Sequence, residues 1–185
     1  KRFIGFCVVN PSYGKDMIVD EIKRCVEQYG VRGLKLHPWM QAFPISLPTV
    51  NDITETCIRY HLPMLFHDGT PPYATTMAVA NLAQRYPEAT IILGHSGLIE
   101  TYGNAIAAVK RLPNIWLSLC GPSISQLQKI VDEADPERIM FGADFGFGSS
   151  DSTLRYRTDM WQYVHMDDNK REKLYFKNAD RLIKR

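Results

Sequence analysis

The chain has 185 residues, of which 45% are hydrophobic and 23% are charged, and its formal net charge at pH 7 is +2. This composition is typical of a folded globular protein, and the length suits one domain with a buried core. The basic residues are scattered, and no apolar stretch approaches the roughly 20 residues that cross a bilayer, so we expect neither a nucleic-acid-binding protein nor a membrane-spanning one.

Six short apolar segments along the chain have the pattern of buried β-strands. They are Phe3–Val9, Gly33–His37, Pro63–His67, Thr90–His95, Ile115–Cys120 and Arg138–Asp144. Their first residues lie 23 to 30 positions apart. This spacing is close to the repeat of strand, helix and return in a (β/α)₈ barrel.

Segments with helical periodicity separate these strands. The first, with Ile18, Ile22, Cys25 and Val26 on one face, ends near Gly30, a residue suited to terminate a helix. The others are centred on Ile53–Ile58, Met77–Tyr86, Ala105–Leu112, Ser125–Glu133, Asp159–Met166 and Asp168–Lys184. Strands that alternate with helices in this way predict an α/β fold with a parallel sheet.

Six strands fit two α/β architectures. One is an open, doubly wound sheet, and the other is an incomplete TIM-type (β/α)₈ barrel with strands 3–8 present and strands 1–2 missing. The chain starts at Lys1-Arg2-Phe3, almost inside a strand, which favours the incomplete barrel. We therefore predict that residues 1–185 form a single barrel domain that has lost an N-terminal segment.

The four cysteines, Cys7, Cys25, Cys57 and Cys120, are far apart and form no Cys-x-x-Cys pair. This distribution is typical of reduced, buried thiols in a cytoplasmic protein. Disulfides are the less favoured alternative.

Ionisable residues end four of the predicted strands: His37, His67, His95 and Asp144. The carboxyl ends of parallel strands meet at one rim, where catalytic groups of barrels lie. Each residue alone also has a purely structural explanation, such as closing a turn or capping a helix. Their joint occurrence predicts a site for a first-row metal ion or for acid–base chemistry.

Side-chain alternation along the strands predicts which face these groups occupy. It pairs each rim residue with others of its own strand: Lys35 with His37, Leu65 with His67, Ile91 and Leu93 with His95, and Met140 with Asp144. If helices cover the opposite face, all four rim groups point into the mouth of the barrel. The remaining histidines, His61 and His165, are expected at the surface.

The loops at this rim carry candidate substrate-binding residues. Trp39, Tyr73 and Arg155 are expected there together with His37 and Lys35. An apolar mouth with an arginine suits a planar or ring-bearing carboxylate. The alternative is that the aromatic residues pack the loops and that Arg155 faces solvent.

The segments "GLKLHP", "LPMLFHDG", "IILGHSG", "RIMFGADFGF" and "NADRLI" occur in this order along the whole chain. Together they resemble the amidohydrolase-related family, the branch of the amidohydrolase superfamily that includes aminocarboxymuconate-semialdehyde decarboxylase-like enzymes. The resemblance implies a (β/α)₈ barrel with one divalent metal ion, most often zinc, with manganese as the alternative. It also implies a His-x-His metal-binding pair on the first strand.

When the motifs of the family are matched to this sequence, the resemblance implies that His67 and Asp144 are metal ligands. It further implies that His95 and Asp144 are the catalytic acid–base residues. The sequence contains no His-x-His pair, and two protein ligands are fewer than the three that catalytic zinc usually takes. Metal binding by these residues alone is therefore expected to be weak or absent, and the fragment alone is expected to be inactive.

The predicted function is that of a metal-dependent hydrolase or decarboxylase acting on a small, carboxylate-bearing organic substrate. One alternative is a metal-independent lactone hydrolase of the same superfamily. The other is a non-catalytic barrel fragment or binding subunit. We expect a small-molecule substrate as the partner, with a homodimer as one option for assembly.

Overall fold

The computed structural model describes residues 3–146 and 150–184. Its six strands are β1 (Cys7–Val8), β2 (Leu34–Leu36), β3 (Met64–Phe66), β4 (Ile91–Leu93), β5 (Ile115–Leu119) and β6 (Ile139–Phe141). They form one sheet in the order β1-β2-β3-β4-β5-β6, and each strand pairs in parallel with the next. The strand order never reverses, which confirms the incomplete TIM-type barrel and excludes the doubly wound sheet.

Helices follow the strands in alternation. They are α1 (Lys15–Tyr29), α2 (Pro48–Arg59), α3 (Thr76–Arg85), α4 (Tyr102–Arg111), α5 (Ile124–Glu133), α6 (Ser150–Met160), α7 (Asp168–Glu172) and α8 (Asn178–Ile183). A 3₁₀ turn, Trp161–Tyr163, follows α6, and a π-helical turn, Lys173–Lys177, joins α7 to α8. Gly30 ends α1 in the left-handed conformation, as its position predicts.

Helix α6 differs from the sequence-based prediction, which placed a helix around Asp159–Met166 and treated the residues before it as a loop. The helix instead occupies Ser150–Met160 and ends where the predicted one begins. From Asp151 to Asp159 no residue is fully buried, and Met160 is the first that is. A helix without an apolar stripe leaves no periodic signal, so the pattern could not reveal it.

The two faces of the sheet have different surroundings. One face packs against the helices and holds most of the core, including the fully buried Leu34, Leu36, Met64 and Phe66. Full burial of a side chain of this size stabilises the fold by about 1.5–3 kcal/mol.

The opposite face, called the inner face below, carries Lys35, Leu65, Ile92 and Trp116 in register. Ile92, Trp116 and Met140 form a second cluster there with Leu182 of α8. Leu65 is only partly buried. The predicted rim of ionisable residues lies at the carboxyl end of this inner face, since His37 and His67 follow Lys35 and Leu65 by two residues.

Within residues 3–146 and 150–184, no helix has the length and hydrophobicity needed to cross a membrane.

Candidate active site at the carboxyl rim of the sheet

Three histidines from different strand ends meet at the carboxyl rim of the sheet. The ring of His37 stacks on the ring of His67, with centroids 3.8 Å apart and planes inclined by 13°. The ring of His95 meets His67 edge-on, with centroids 4.5 Å apart and an angle of 66°. The structure thus brings three of the four predicted rim residues into one cluster.

His67 is the central ring of this cluster. Its backbone N–H donates to the carbonyl of Leu36, which keeps it in register with β2. Its Nε2 lies 2.8 Å from the hydroxyl of Thr70. Burial, with smaller effects from the neighbouring His95 and His37, lowers the pKa of His67 to about 3. The ring is therefore uncharged at neutral pH, the state that a metal ligand or a base needs.

His37 is oriented by the turn that follows it. Its Nδ1 accepts a hydrogen bond from the backbone N–H of Met40 at 3.2 Å. Its own backbone N–H donates to the Gln41 side chain at 2.8 Å, and Gln41 in turn donates to the carbonyl of Val9. Since Nδ1 is an acceptor, the proton of the neutral ring sits on Nε2. Burial, with a smaller effect from Lys35, lowers the pKa of His37.

His95 reaches the cluster by a different route from the one that alternation predicts. Ile91 and Leu93 lie in the core on the helix-covered side, whereas Ile92 lies on the inner face. Continued alternation would have sent His95 to the helix side, so the expectation for this strand was wrong. The strand ends at Leu93, and the chain enters a turn in which Ser96 has φ 50° and the His95 ring contacts His67 and Cys120 on the inner side.

A buried carboxylate, Asp68, holds that turn. It is fully buried and accepts hydrogen bonds from the backbone N–H groups of His95 and Gly97, each at 2.8 Å, and from the Thr76 hydroxyl at 3.0 Å. Burial raises the pKa of Asp68, and the three donors oppose that shift. Asp68 follows His67 in sequence, so one dipeptide supplies a ring to the cluster and an anchor for a second ring.

Close backbone packing accompanies this anchor. Gly69 and Gly97 have φ values of 94° and 82°. A Cβ atom on Gly69 would lie 2.7 Å from the carbonyl carbon of Gly97. Only glycine at position 69 lets the two rim loops approach this closely.

Cys120, which directly follows β5, contacts His95, and the sequence analysis did not predict this contact. Its sulfur lies 3.2 Å from Nδ1 of His95 and 3.1 Å from the carbonyl of Gly94. Burial raises its pKa to about 12, so the thiol stays protonated and can donate. The missed signal was alternation, because Ser118 is in register with the inner-face residue Met140 and Cys120 is two residues further along.

The charge environment of His95 is positive. Burial, with smaller effects from Lys35, His37 and Arg157, lowers the pKa of His95 to about 4. Lys35 is half-buried on the inner face, and burial lowers its pKa while Asp144 opposes that shift. His95 is therefore uncharged at neutral pH.

Asp144 lies at the same rim, three residues after β6, at φ 52° and exposed to solvent. Its negative charge partly opposes the lowering of the pKa values of Lys35, His37 and His67, which indicates that it is near the imidazole cluster. Asp144 is thus the carboxylate available to this group of rings.

The other histidines and predicted substrate-binding residues are exposed to solvent. Trp39 and Tyr73 are 53% and 39% exposed on rim loops, and Arg155 is exposed on α6. In the described part of the chain, no hydrogen bond or ring contact joins these three to the imidazole cluster. His61 and His165 are exposed, and His61 precedes β3 at the opposite end of the strands.

The donors at the rim are of the kinds that divalent transition metals accept, namely imidazole and carboxylate. Within residues 3–146 and 150–184, however, no three His, Cys, Asp or Glu side chains are arranged so that they could hold a metal ion. The predicted pair of His67 and Asp144 does not by itself make a complete site, because catalytic metals usually take three protein ligands.

Solved structures similar to this chain include an uncharacterised TIM-barrel protein and two decarboxylases. An uncharacterised TIM-barrel protein from Bordetella bronchiseptica matches with a TM-score of 0.81 at 16% identity, covering 98% of this chain and 66% of the other. A 2,6-dihydroxybenzoate decarboxylase from Rhizobium matches with a TM-score of 0.76 at 19% identity, covering 99% and 71%. At these identities the likeness shows the fold alone.

A third structure is a 5-carboxyvanillate decarboxylase from Novosphingobium aromaticivorans, complexed with manganese and a nitrobenzoic acid derivative. It matches with a TM-score of 0.71 at 17% identity, covering 100% of this chain and 65% of the other. The chain thus spans about two thirds of the length of these three structures.

Family-level evidence comes from sequence. No curated protein matches the chain. The family model described as "Amidohydrolase" matches residues 1–185, which is the whole chain. As the resemblance of its motifs predicted, the chain belongs to this amidohydrolase family.

Proposed function

We propose that this chain carries the proton-transfer part of the active site of a metal-dependent decarboxylase whose substrate is a small, ring-bearing carboxylate. The observation that carries the proposal is the contact of His37, His67 and His95 at the carboxyl rim, beside the cation of Lys35. Two of the three similar structures described above are decarboxylases of aromatic acids, which supports the choice of reaction.

The chemistry requires one proton and one broken bond. A ring carbon that bears the carboxylate accepts a proton, the bond from that carbon to the carboxylate carbon breaks, and carbon dioxide leaves as its electron pair stays with the ring. In this proposal His95 moves the proton, with Cys120 fixing the orientation of its ring at Nδ1. A bound divalent ion would supply positive charge for the substrate's oxygens. We propose manganese or zinc, with His67 and Asp144 as two of its ligands.

The charges around His95 determine whether its ring is protonated and can act as an acid. Lys35 and Arg157 both disfavour protonation of the ring. A substrate carboxylate bound near these cations offsets their effect, because an opposite charge nearby favours the protonated imidazole. Substrate binding thus prepares the acid that the reaction uses.

Hydrolysis is the second candidate, favoured by the uncharged state of His95, which suits a base that takes a proton from water. The two reactions have different products and are distinguished by assay.

The test measures carbon dioxide release from 2,6-dihydroxybenzoate and 5-carboxyvanillate, with Mn²⁺ added. The assay uses the full-length protein that includes these 185 residues. We expect His95→Ala to lower turnover by roughly 10²–10⁴-fold, the usual effect of a general acid–base group. The matched control is His165→Ala, which removes an exposed histidine. The proposal would be contradicted if no carbon dioxide were released and the chelator-treated protein hydrolysed a lactone. That result would favour the metal-independent lactone hydrolase.

A further inference from the structure

Arg157 is a second cation at the catalytic rim. It lies on α6, which follows β6 in the chain, and its side chain is half-buried. Its positive charge is close enough to His95 and Cys120 to lower the pKa of each. Arg157 therefore belongs to the surroundings of the proposed proton-transfer residue.

The guanidinium of Arg157 has unused hydrogen-bonding capacity. Its Nε is buried and has no hydrogen-bond partner in the part of the chain that the structure describes. Its Nη1 contacts the thioether of Met160 at 3.7 Å, a weak acceptor, and its central carbon lies 5.5 Å from the centroid of the Tyr156 ring. None of the ion pairs among the described residues includes Arg157.

Leaving a buried guanidinium nitrogen without an acceptor is unfavourable. The fork of N–H donors on arginine matches the two oxygens of a carboxylate. Lys35 lowers the pKa of His95 in the same direction as Arg157 does, and it too forms no ion pair among the described residues. The site thus has two cationic side chains, Lys35 and Arg157, that form no ion pair with a described residue.

We propose that Arg157 binds the carboxylate of the substrate and makes this site selective for anionic substrates. This inference rests on the proposed function and gives Arg157 the role that the sequence suggested for Arg155. The two residues are two positions apart on α6, about 200° around the helix. Arg155 is on the exposed side, whereas Arg157 is the half-buried one.

The experiment compares the binding of two ligands that differ only in the carboxylate. The ligands are 2,6-dihydroxybenzoate and resorcinol, titrated by calorimetry into the protein used for the decarboxylation assay. The protein is first treated with a chelator and desalted, so that no metal ion contributes to carboxylate binding. The variants are Arg157→Gln, Arg157→Lys and Arg155→Gln, with Arg111→Gln, an exposed arginine at the end of α4, as the matched control.

We expect Arg157→Gln to weaken binding of 2,6-dihydroxybenzoate by roughly 10- to 100-fold, the effect of losing a charge-assisted, two-pronged contact. Binding of resorcinol should stay the same, which a merely structural role of Arg157 would not predict. Arg157→Lys keeps the charge and should recover part of the loss. Arg111→Gln should leave both ligands unaffected.

Three results would overturn the inference. They are an equal loss for both ligands in Arg157→Gln, a loss in Arg155→Gln instead, or a parent protein that binds 2,6-dihydroxybenzoate no better than resorcinol. Binding is measured independently of turnover, so the inference and the proposed function fail separately. Carboxylate binding through Arg157 without carbon dioxide release would contradict only the decarboxylase.

Discussion

The ring of His67 lies parallel to that of His37, with centroids 3.8 Å apart, and both rings sit in surroundings that keep them uncharged. A proton on either ring would place a positive charge against its neighbour and beside Lys35. The cluster is therefore stable as a set of neutral imidazoles, which has consequences for pH dependence, stability and metal binding.

Acid should destabilise the metal-free protein through His67 and His95. Their folded-state pKa values, about 3 and about 4, lie below the ordinary value of 6.5. The unfolded chain therefore binds protons first as the pH falls below 6.5, and the free energy of unfolding should fall between pH 6.5 and pH 4. The slope is about 1.4 kcal/mol per pH unit for each histidine.

Urea unfolding at a series of pH values, followed by circular dichroism, measures this slope. Carboxylates also contribute in acid, so the informative comparison is with His67→Ala, which should show a shallower decline. An identical decline in the parent and the variant would show that His67 is not held uncharged by the fold.

Replacing Asp68 should destabilise the turn that carries His95. Asp68→Asn puts an N–H₂ group where an oxygen accepts from a backbone N–H, and one buried donor loses its partner. We expect a loss of about 2 kcal/mol in the free energy of unfolding. Thr76→Val removes a hydroxyl that donates to the same carboxylate and lies 3.0 Å from the Thr101 hydroxyl, and it should cost about 1 kcal/mol. Chemical denaturation of both variants tests this order, and a larger loss for Thr76→Val would contradict it.

The four cysteines should be unreactive in the folded protein. Cys7, Cys25, Cys57 and Cys120 are free and buried, and burial raises the pKa of each. An aromatic disulfide reagent should therefore label none of them quickly in native buffer and all four after unfolding. Fast labelling of one thiol in native buffer would show that its site opens more readily than its burial indicates.

Much of the fold follows from local sequence patterns. Each strand is a short apolar run, and the regular spacing of these runs predicts a barrel-type sheet. Alternation also predicts correctly that Lys35 and His37 share the inner face, because His37 directly follows the regular strand β2.

Other features depend on contacts that no local pattern encodes. His95 reaches the cluster through a turn after Leu93, and Asp68 anchors that turn from 27 residues away. Helix α6 is too polar to show helical periodicity, so the sequence pattern did not reveal that Arg157 is half-buried and Arg155 exposed.

The most direct test of the division of labour between His67 and His95 is a titration with Mn²⁺, followed by electron paramagnetic resonance. It compares the parent protein with His67→Ala, His95→Ala and the control His165→Ala. If His67 is a ligand and His95 moves the proton, His67→Ala should weaken binding by at least about tenfold, because a donor is lost from a small ligand set. His95→Ala and His165→Ala should bind Mn²⁺ as the parent does. Equal weakening by His67→Ala and His95→Ala would make both residues ligands and contradict the assigned roles.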